Sequence, residues 1–355
     1  MMVLSAVLAL AILQGQDAES LSQKALELAR AGHASEAAEL WKKALSAAPR
    51  HFESLFNLGY YYTTQGQPAE AREYLARAAK VRPADFNTRY LLGNALALLE
   101  RREEALSEWR VALAAQPANV RLMMVMAVEY GKGRYFREAC DVARRALRAA
   151  PADARVHFVA IKACDDARDP DILEMTRATA RRFPSDARAN FEYGFQLQRA
   201  GQREEAMPYL RKAMEGDANY EEPFFFYGDL LLLEDRYEEA ARNLKRALEI
   251  RPDYVAACVS LAKALMAQEK YPEAVRELES CSAKNPVHPQ PHLILSQVYF
   301  RLGEEDRATA EKNLSMKLRR EHPEIMESPQ ARPFPKLAAN AQPTKPAAAQ
   351  KPRPR

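Results

Sequence analysis

The chain has 355 residues, 52 of them Lys or Arg and 48 Asp or Glu, which leaves a formal charge of +4. Sixty-four alanines against 12 glycines, with 8% aromatic and 28% charged residues, describe a helix-rich globular chain and argue against a β-rich fold, a collagen-like repeat and wholesale disorder. Four cysteines are too few for a small disulfide framework.

The first element is the apolar run VLSAVLALAIL, Val3 to Leu13. Eleven residues are too few to span a bilayer and suit the core of a signal peptide. No Lys or Arg precedes the run, and LQGQ-D is not an A-x-A cleavage site, so an apolar helix packed on the following segment is the alternative. We read residues 1–17 as a signal peptide or N-terminal apolar segment and expect an exported protein, periplasmic or secreted, with a cytoplasmic location as the alternative. No cysteine lies near the run, which argues against a lipid anchor.

A strict period takes over near residue 18. Prolines at 49, 83, 117, 151, 184, 252 and 286 are separated by 34, 34, 34, 33, 68 and 34 residues. In the same register stands one column of alanines, at Ala37, Ala71, Ala105, Ala139, Ala206, Ala240, Ala274 and Ala308. A second column runs Ala44, Ala78, Ala112, Ala146, Ala213 and Ala247, and a third Ala25, Gly59, Gly93, Ala127, Gly194, Gly228 and Ala262. Small columns mark where two helix axes approach closely, and the late proline ends the second helix of each unit. One helix pair cannot bury its own apolar stripe, so successive pairs must stack.

This pattern resembles the tetratricopeptide-repeat family, whose 34-residue unit is two antiparallel helices. The resemblance is clearest in Phe52–Asp85, through Leu55, Leu58, Gly59, Tyr62, Ala71, Leu75, Ala78 and Pro83. In Glu221–Tyr254 the matching residues are Phe224, Tyr227, Gly228, Leu231, Ala240, Leu244, Ala247 and Pro252. It implies an all-α fold, a right-handed α-solenoid of about nine helix-turn-helix units over residues 18–322. The units start at Ala18, Phe52, Phe86, Val120, Ala154, Ala187, Glu221, Val255 and Pro289.

Three places depart from the pattern. The fifth unit is one residue short, with Ile161, Ile172 and Thr179 in the small columns, and should be the weakest stack. Its turn, Cys164 to Asp171, is rich in Asp; we expect a helix start with Asp169 as N-cap and Pro170 as first helical residue. A calcium site there lacks the EF-hand spacing and glycine. Pro208 removes one hydrogen bond inside a second helix. The ninth unit carries Ser296, Lys312 and Ser315 at usually apolar or small positions, as a capping repeat would. From Pro323 to Arg355, eight prolines and no apolar stripe suggest a disordered tail that carries net +4, so residues 1–322 sum to zero.

No catalytic signature is present: H-E-x-x-H, the P-loop, G-x-S-x-G and G-x-G-x-x-G are all missing. We expect no enzyme activity, cofactor or metal. Gly131-Lys132-Gly133-Arg134 falls in a turn, and the spacing of Cys281, His288 and His292 lacks a fourth metal ligand. Cys140, Cys164, Cys258 and Cys281 stand at or beside buried-type positions and read as small apolar filler; Cys258 and Cys281 are the pair to test in an exported protein.

The resemblance further implies that peptides bind the inner, concave face through the first helix of each unit. The fifth and ninth positions of those helices supply the candidate partner-binding residues Phe56, Tyr60, Tyr90, Asn94, Met124, Phe158, Lys162, Phe191, Phe195, Phe225, Asp229 and Lys263. This aromatic stripe suits an apolar peptide, though packing between neighbouring helices explains part of it. The family's clamp for chaperone carboxyl termini would need Lys and Asn where Phe56 and Tyr60, or Tyr90 and Asn94, stand. We therefore expect a non-enzymatic scaffold with a peptide or protein partner, no specific nucleic acid and no transmembrane span. The alternatives are an accessory subunit of a separate envelope enzyme or secretion complex, and a binder of anionic polymers through the basic tail.

Overall fold

The computed structural model describes the backbone of residues 2–327 and the side chains of residues 16–325. Among the described residues there are nineteen α-helices and no strand. The chain divides into two compact units between Ala167 and Arg168, inside the turn of the irregular fifth repeat.

The first unit holds α1 (Met2–Arg30), α2 (Ala34–Ala47), α3 (Phe52–Thr64), α4 (Pro68–Val81), α5 (Phe86–Leu98), α6 (Arg102–Ala115), α7 (Val120–Lys132), α8 (Phe136–Ala149) and α9 (Ala154–Asp166). The second holds α10 (Ile172–Arg182), α11 (Ala187–Arg199), α12 (Arg203–Gly216), α13 (Glu221–Leu233), α14 (Tyr237–Ile250), α15 (Val255–Ala267), α16 (Tyr271–Lys284), α17 (Pro289–Arg301), α18 (Glu305–Glu321) and α19 (Pro323–Glu327). Within each unit, consecutive helices form hairpins, and each hairpin packs on the next, the arrangement of a helical solenoid.

The periodic columns explain the hairpins. Ala37, Ala71, Ala105, Ala206, Ala240 and Ala274 are fully buried where second helices meet first helices. Gly59, Gly93, Gly194 and Gly228 face Leu75, Trp109, Leu210 and Leu244 across the same contact. Every turn between first and second helix passes through one left-handed residue: Gly32, Gly66, Glu100, Arg134, Arg168, Gly201, Asp235, Glu269 and Gly303. First helices often open on a capping side chain; Asp85 accepts from the Thr88 amide at 2.8 Å, Asn119 from Leu122 at 3.0 Å and Asp186 from Ala189 at 2.8 Å.

The structure departs from the sequence reading in several places. The apolar run and the first repeat are one backbone helix, α1, and the run's side chains lie outside the described residues. Asp169 does not cap α10. Its carboxylate accepts from the Asp171 amide at 2.9 Å and its carbonyl from Ile172, so a tight turn precedes the helix and Asp171 takes the cap position. Within α10, buried Thr176 and Thr179 return their hydroxyls to the Ile172 and Met175 carbonyls, which keeps these buried polar groups paired.

The cysteines also differ. Cys140 of α8 and Cys164 of α9 form a disulfide, with Cα atoms 4.6 Å apart, whereas Cys258 and Cys281 are buried free thiols. The filler reading of Cys140 and Cys164 is corrected by the packing of a second helix against the next first helix, which brings the two together. Pro323–Glu327, the start of the proposed tail, form α19; the tail beyond residue 327 lies outside the described residues. Among the described residues no helix is long and apolar enough to cross a membrane.

Candidate functional site

The candidate residues all lie on first helices, and their burial separates them. In the second unit, Phe191 and Phe195 stand one turn apart on α11, so helical spacing puts both rings on one face. Their centroids are 6.0 Å apart. Phe191 is completely buried, enclosed by Tyr220 at 5.1 Å and Phe226 at 5.7 Å. It is therefore a core residue and presents no surface to a ligand, because Tyr220 at the end of its own repeat and Phe226 of the next close over it. Phe195 is half-buried and meets Phe226 edge-on at 4.9 Å.

The ring contacts continue from Phe226 to Phe225 at 4.8 Å and from Phe225 to Tyr254 at 4.9 Å. Phe225 and Tyr254 are each 7% exposed, so the accessible part of the cluster is Phe195, Phe226 and Tyr220. Phe226 and Tyr220 were outside the sequence reading. The signal for Phe226 lay in the Phe224-Phe225-Phe226 run, where it adjoins the fifth-position Phe225.

Polar groups flank these rings. The Arg199 guanidinium lies 5.6 Å from the Phe195 ring centre. Asp229 accepts from the Ser260 hydroxyl at 3.1 Å, and Lys263 on α15 is exposed. Leu233, at the end of α13, is 56% exposed. Accessible aromatic edges thus lie beside the Arg199 cation, with the Asp229 carboxylate one turn from Phe226 on α13, a composition suited to an apolar segment with polar flanks.

In the first unit, the rings pair within helices. Phe52 and Phe56 stack at 6.1 Å on α3, and Phe86 and Tyr90 at 5.8 Å on α5. Phe56, Tyr60, Tyr90 and Asn94 are half-buried, and the Tyr90 carbonyl accepts from the Trp109 indole at 3.2 Å. Met124 and Phe158 are buried, at 7% and 8% exposure, so they serve packing. Lys162 is held by an ion pair to Asp166, one turn on along α9.

The metal-capable groups are engaged otherwise. Glu19, His51 and Glu53 could bring three ligand atoms together. In the structure, however, His51 accepts from the Ser54 amide as the α3 cap and meets Glu19 at 3.1 Å, while Glu53 binds Arg82 at 2.6 Å. His288 caps α17, His292 binds Glu311 at 2.7 Å, and Cys281 lies against Cys258, so these three side chains point to separate partners.

Family models described as tetratricopeptide repeat match residues 22–80, 61–120 and 231–298. No curated protein matches the chain. Among solved structures, the MamA protein is 19% identical over 57% of this chain and 93% of its own, with a TM-score of 0.41. YrrB, described as a TPR protein with an unusual peptide-binding site, is 22% identical over 53% and 97%, with a TM-score of 0.43. A tetratricopeptide repeat protein from Parabacteroides merdae is 18% identical over 71% and 100%, with a TM-score of 0.43. The matched segments lie in both compact units, and the helix hairpins and small-residue columns keep the same register through each, so the chain belongs to the tetratricopeptide-repeat family.

Proposed function

We propose that the chain is a non-enzymatic scaffold that captures an apolar peptide segment of a protein partner on its first-helix faces, with Phe195, Phe226 and Tyr220 as the principal contacts. The observation that carries this reading is the half-buried aromatic cluster on α11 and α13, where ring edges are accessible beside Arg199 and Asp229. Aromatic side chains in such settings supply large contact area at low conformational cost. Phe56, Tyr60 and Tyr90, also half-buried, offer a second surface in the first unit.

The test is selection of displayed random peptides on the full chain, followed by affinity measurement with Phe195→Ala/Phe226→Ala. Selected peptides should be rich in apolar residues, and the double variant should bind them at least about tenfold more weakly, the loss of roughly 1.4 kcal/mol or more expected for truncating interface anchors. Unchanged affinity with unchanged helicity overturns the assignment.

We further propose an oxidising, extracytoplasmic location. The Val3–Leu13 apolar run and the Cys140–Cys164 disulfide support it, since structural disulfides persist outside reducing compartments. N-terminal sequencing of the protein from its native host tests it, and an intact Met1 overturns the cleaved-signal form.

A further inference from the structure

The chain has only four cysteines, and the fold brings them together as two pairs. One pair, in the first unit, is the Cys140–Cys164 disulfide. The other lies within one hairpin of the second unit. Cys258 is in the first turn of α15 and Cys281 in the last turn of α16, so the antiparallel pairing sets them at the same end. Both thiols are buried in one hydrophobic core, and the Cys258 sulfur approaches the Glu277 carbonyl, one turn before Cys281, at 3.8 Å. In other units the position of Cys281 holds an alanine packed beneath a larger first-helix residue, as with Ala78 and Leu55, both buried. Two thiols here replace that large-and-small combination.

We propose that Cys258 and Cys281 are a redox modification site, a dithiol that closes reversibly into a second disulfide by exchange with an external disulfide. The Cys281 thiolate attacks one sulfur of the external disulfide, forms a mixed disulfide and releases one thiolate. Cys258 then loses its proton and attacks the Cys281 sulfur, releasing the second. Two cysteine thiols and one external disulfide thus become one protein disulfide and two external thiols.

The order of attack follows from the surroundings. The neighbouring Cys258 thiol holds the Cys281 thiol below its usual value against the effect of burial, and Lys284 adds to this. The same proximity, with burial, pushes Cys258 up. Cys258 is 1% exposed and Cys281 4%, so the exchange requires opening of the last turn of α16, where helix ends are least stable. Closure would tie α15 to α16 four residues beyond Tyr254, which rests against Phe225 in the aromatic cluster.

The experiment uses the reduced full chain, equilibrated in a series of oxidised-to-reduced glutathione ratios. Samples are acid-quenched, denatured, alkylated and mapped by peptide mass. The expected result is joint loss of alkylation at Cys258 and Cys281, a peptide cross-linking the two, and recovery of both thiols in excess reduced glutathione. Three results would overturn the proposal: both thiols alkylated throughout while Cys140–Cys164 forms, cross-links from Cys258 or Cys281 to the first pair, or glutathione retained on Cys281 as the end product. In Cys258→Ser the exchange should stop at the mixed disulfide on Cys281; an unmodified Cys281 in that variant overturns the order of attack, while the wild-type mapping stands whether or not the variant folds.

Discussion

Tyr299 lies in α17 with its ring 2% exposed, its hydroxyl donating to Glu279 at 2.8 Å and the Arg307 guanidinium 4.1 Å from the ring centre. Burial first, and then the hydrogen bond to the Glu279 carboxylate, push its phenol up to about 12. The folded chain therefore keeps a proton that the unfolded chain loses near pH 10. The stability due to this group is complete below that pH and is lost as pH rises through about 12. Tyr299→Phe should fall less steeply in urea midpoint between about pH 10 and pH 12 than the wild type; equal slopes would show that ionisation of Tyr299 is not linked to folding.

A second residue-scale effect is backbone strain in the turns. Glu100 and Glu269 hold φ of +60° and +58° at the position where Gly66 and Gly201 serve other repeats. The left-handed conformation costs a side-chain-bearing residue about 1–2 kcal/mol, and glycine gives back about 0.5–1 kcal/mol in unfolded-state entropy. Glu100→Gly and Glu269→Gly should each raise stability by about 0.5–1 kcal/mol, read as a higher urea midpoint at constant slope.

At the scale of helices, the glycine column sets how closely a hairpin closes. A Cβ at Gly93 would lie 2.3 Å from the Trp109 indole nitrogen and 2.4 Å from Cδ1. The Trp109 ring is rigid, 1% exposed and fixed by its bond to the Tyr90 carbonyl, so it cannot yield. At Gly194 the same Cβ would lie 3.1 Å from Leu210, a branched chain that can shift slightly. Gly93→Ala should cost about 2 kcal/mol through over-packing between α5 and α6. In Gly194→Ala the gain of about 1 kcal/mol in helix propensity should offset most of the crowding. Comparison of the two urea midpoints checks this, and a Gly93→Ala chain as stable as Gly194→Ala would contradict it.

For the molecule as a whole, the fifth repeat is where the chain divides, with α9 packed in the first unit and α10 in the second. The Cys140–Cys164 disulfide joins α8 to α9 across 24 residues of sequence. By loop-closure entropy such a link contributes about 3 kcal/mol. Cys140→Ser/Cys164→Ser should therefore speed amide exchange in α8 and α9 while leaving α17 and α18 unchanged. Uniform acceleration along the chain, or none, would count against a stabilising role confined to the first unit.

The amino-acid sequence by itself determined the helix hairpins and their register. The expected starts at Phe52, Phe86, Val120, Ala154, Ala187, Glu221, Val255 and Pro289 coincide with the first residues of α3, α5, α7, α9, α11, α13, α15 and α17. This was legible because close helix approach tolerates only small side chains, and that steric demand repeats in the sequence wherever the contact repeats. The candidate site was legible only as a set of positions. Phe191 and Phe195 share a helix face, yet one is enclosed and the other half-buried, because Phe191 lies against both Tyr220 and Phe226 whereas Phe195 meets Phe226 edge-on and keeps an accessible side. The same holds for the cysteines. Whether Cys140 meets Cys164 depends on the angle at which one hairpin settles on the next, a property of packed side-chain shapes that period and composition do not encode.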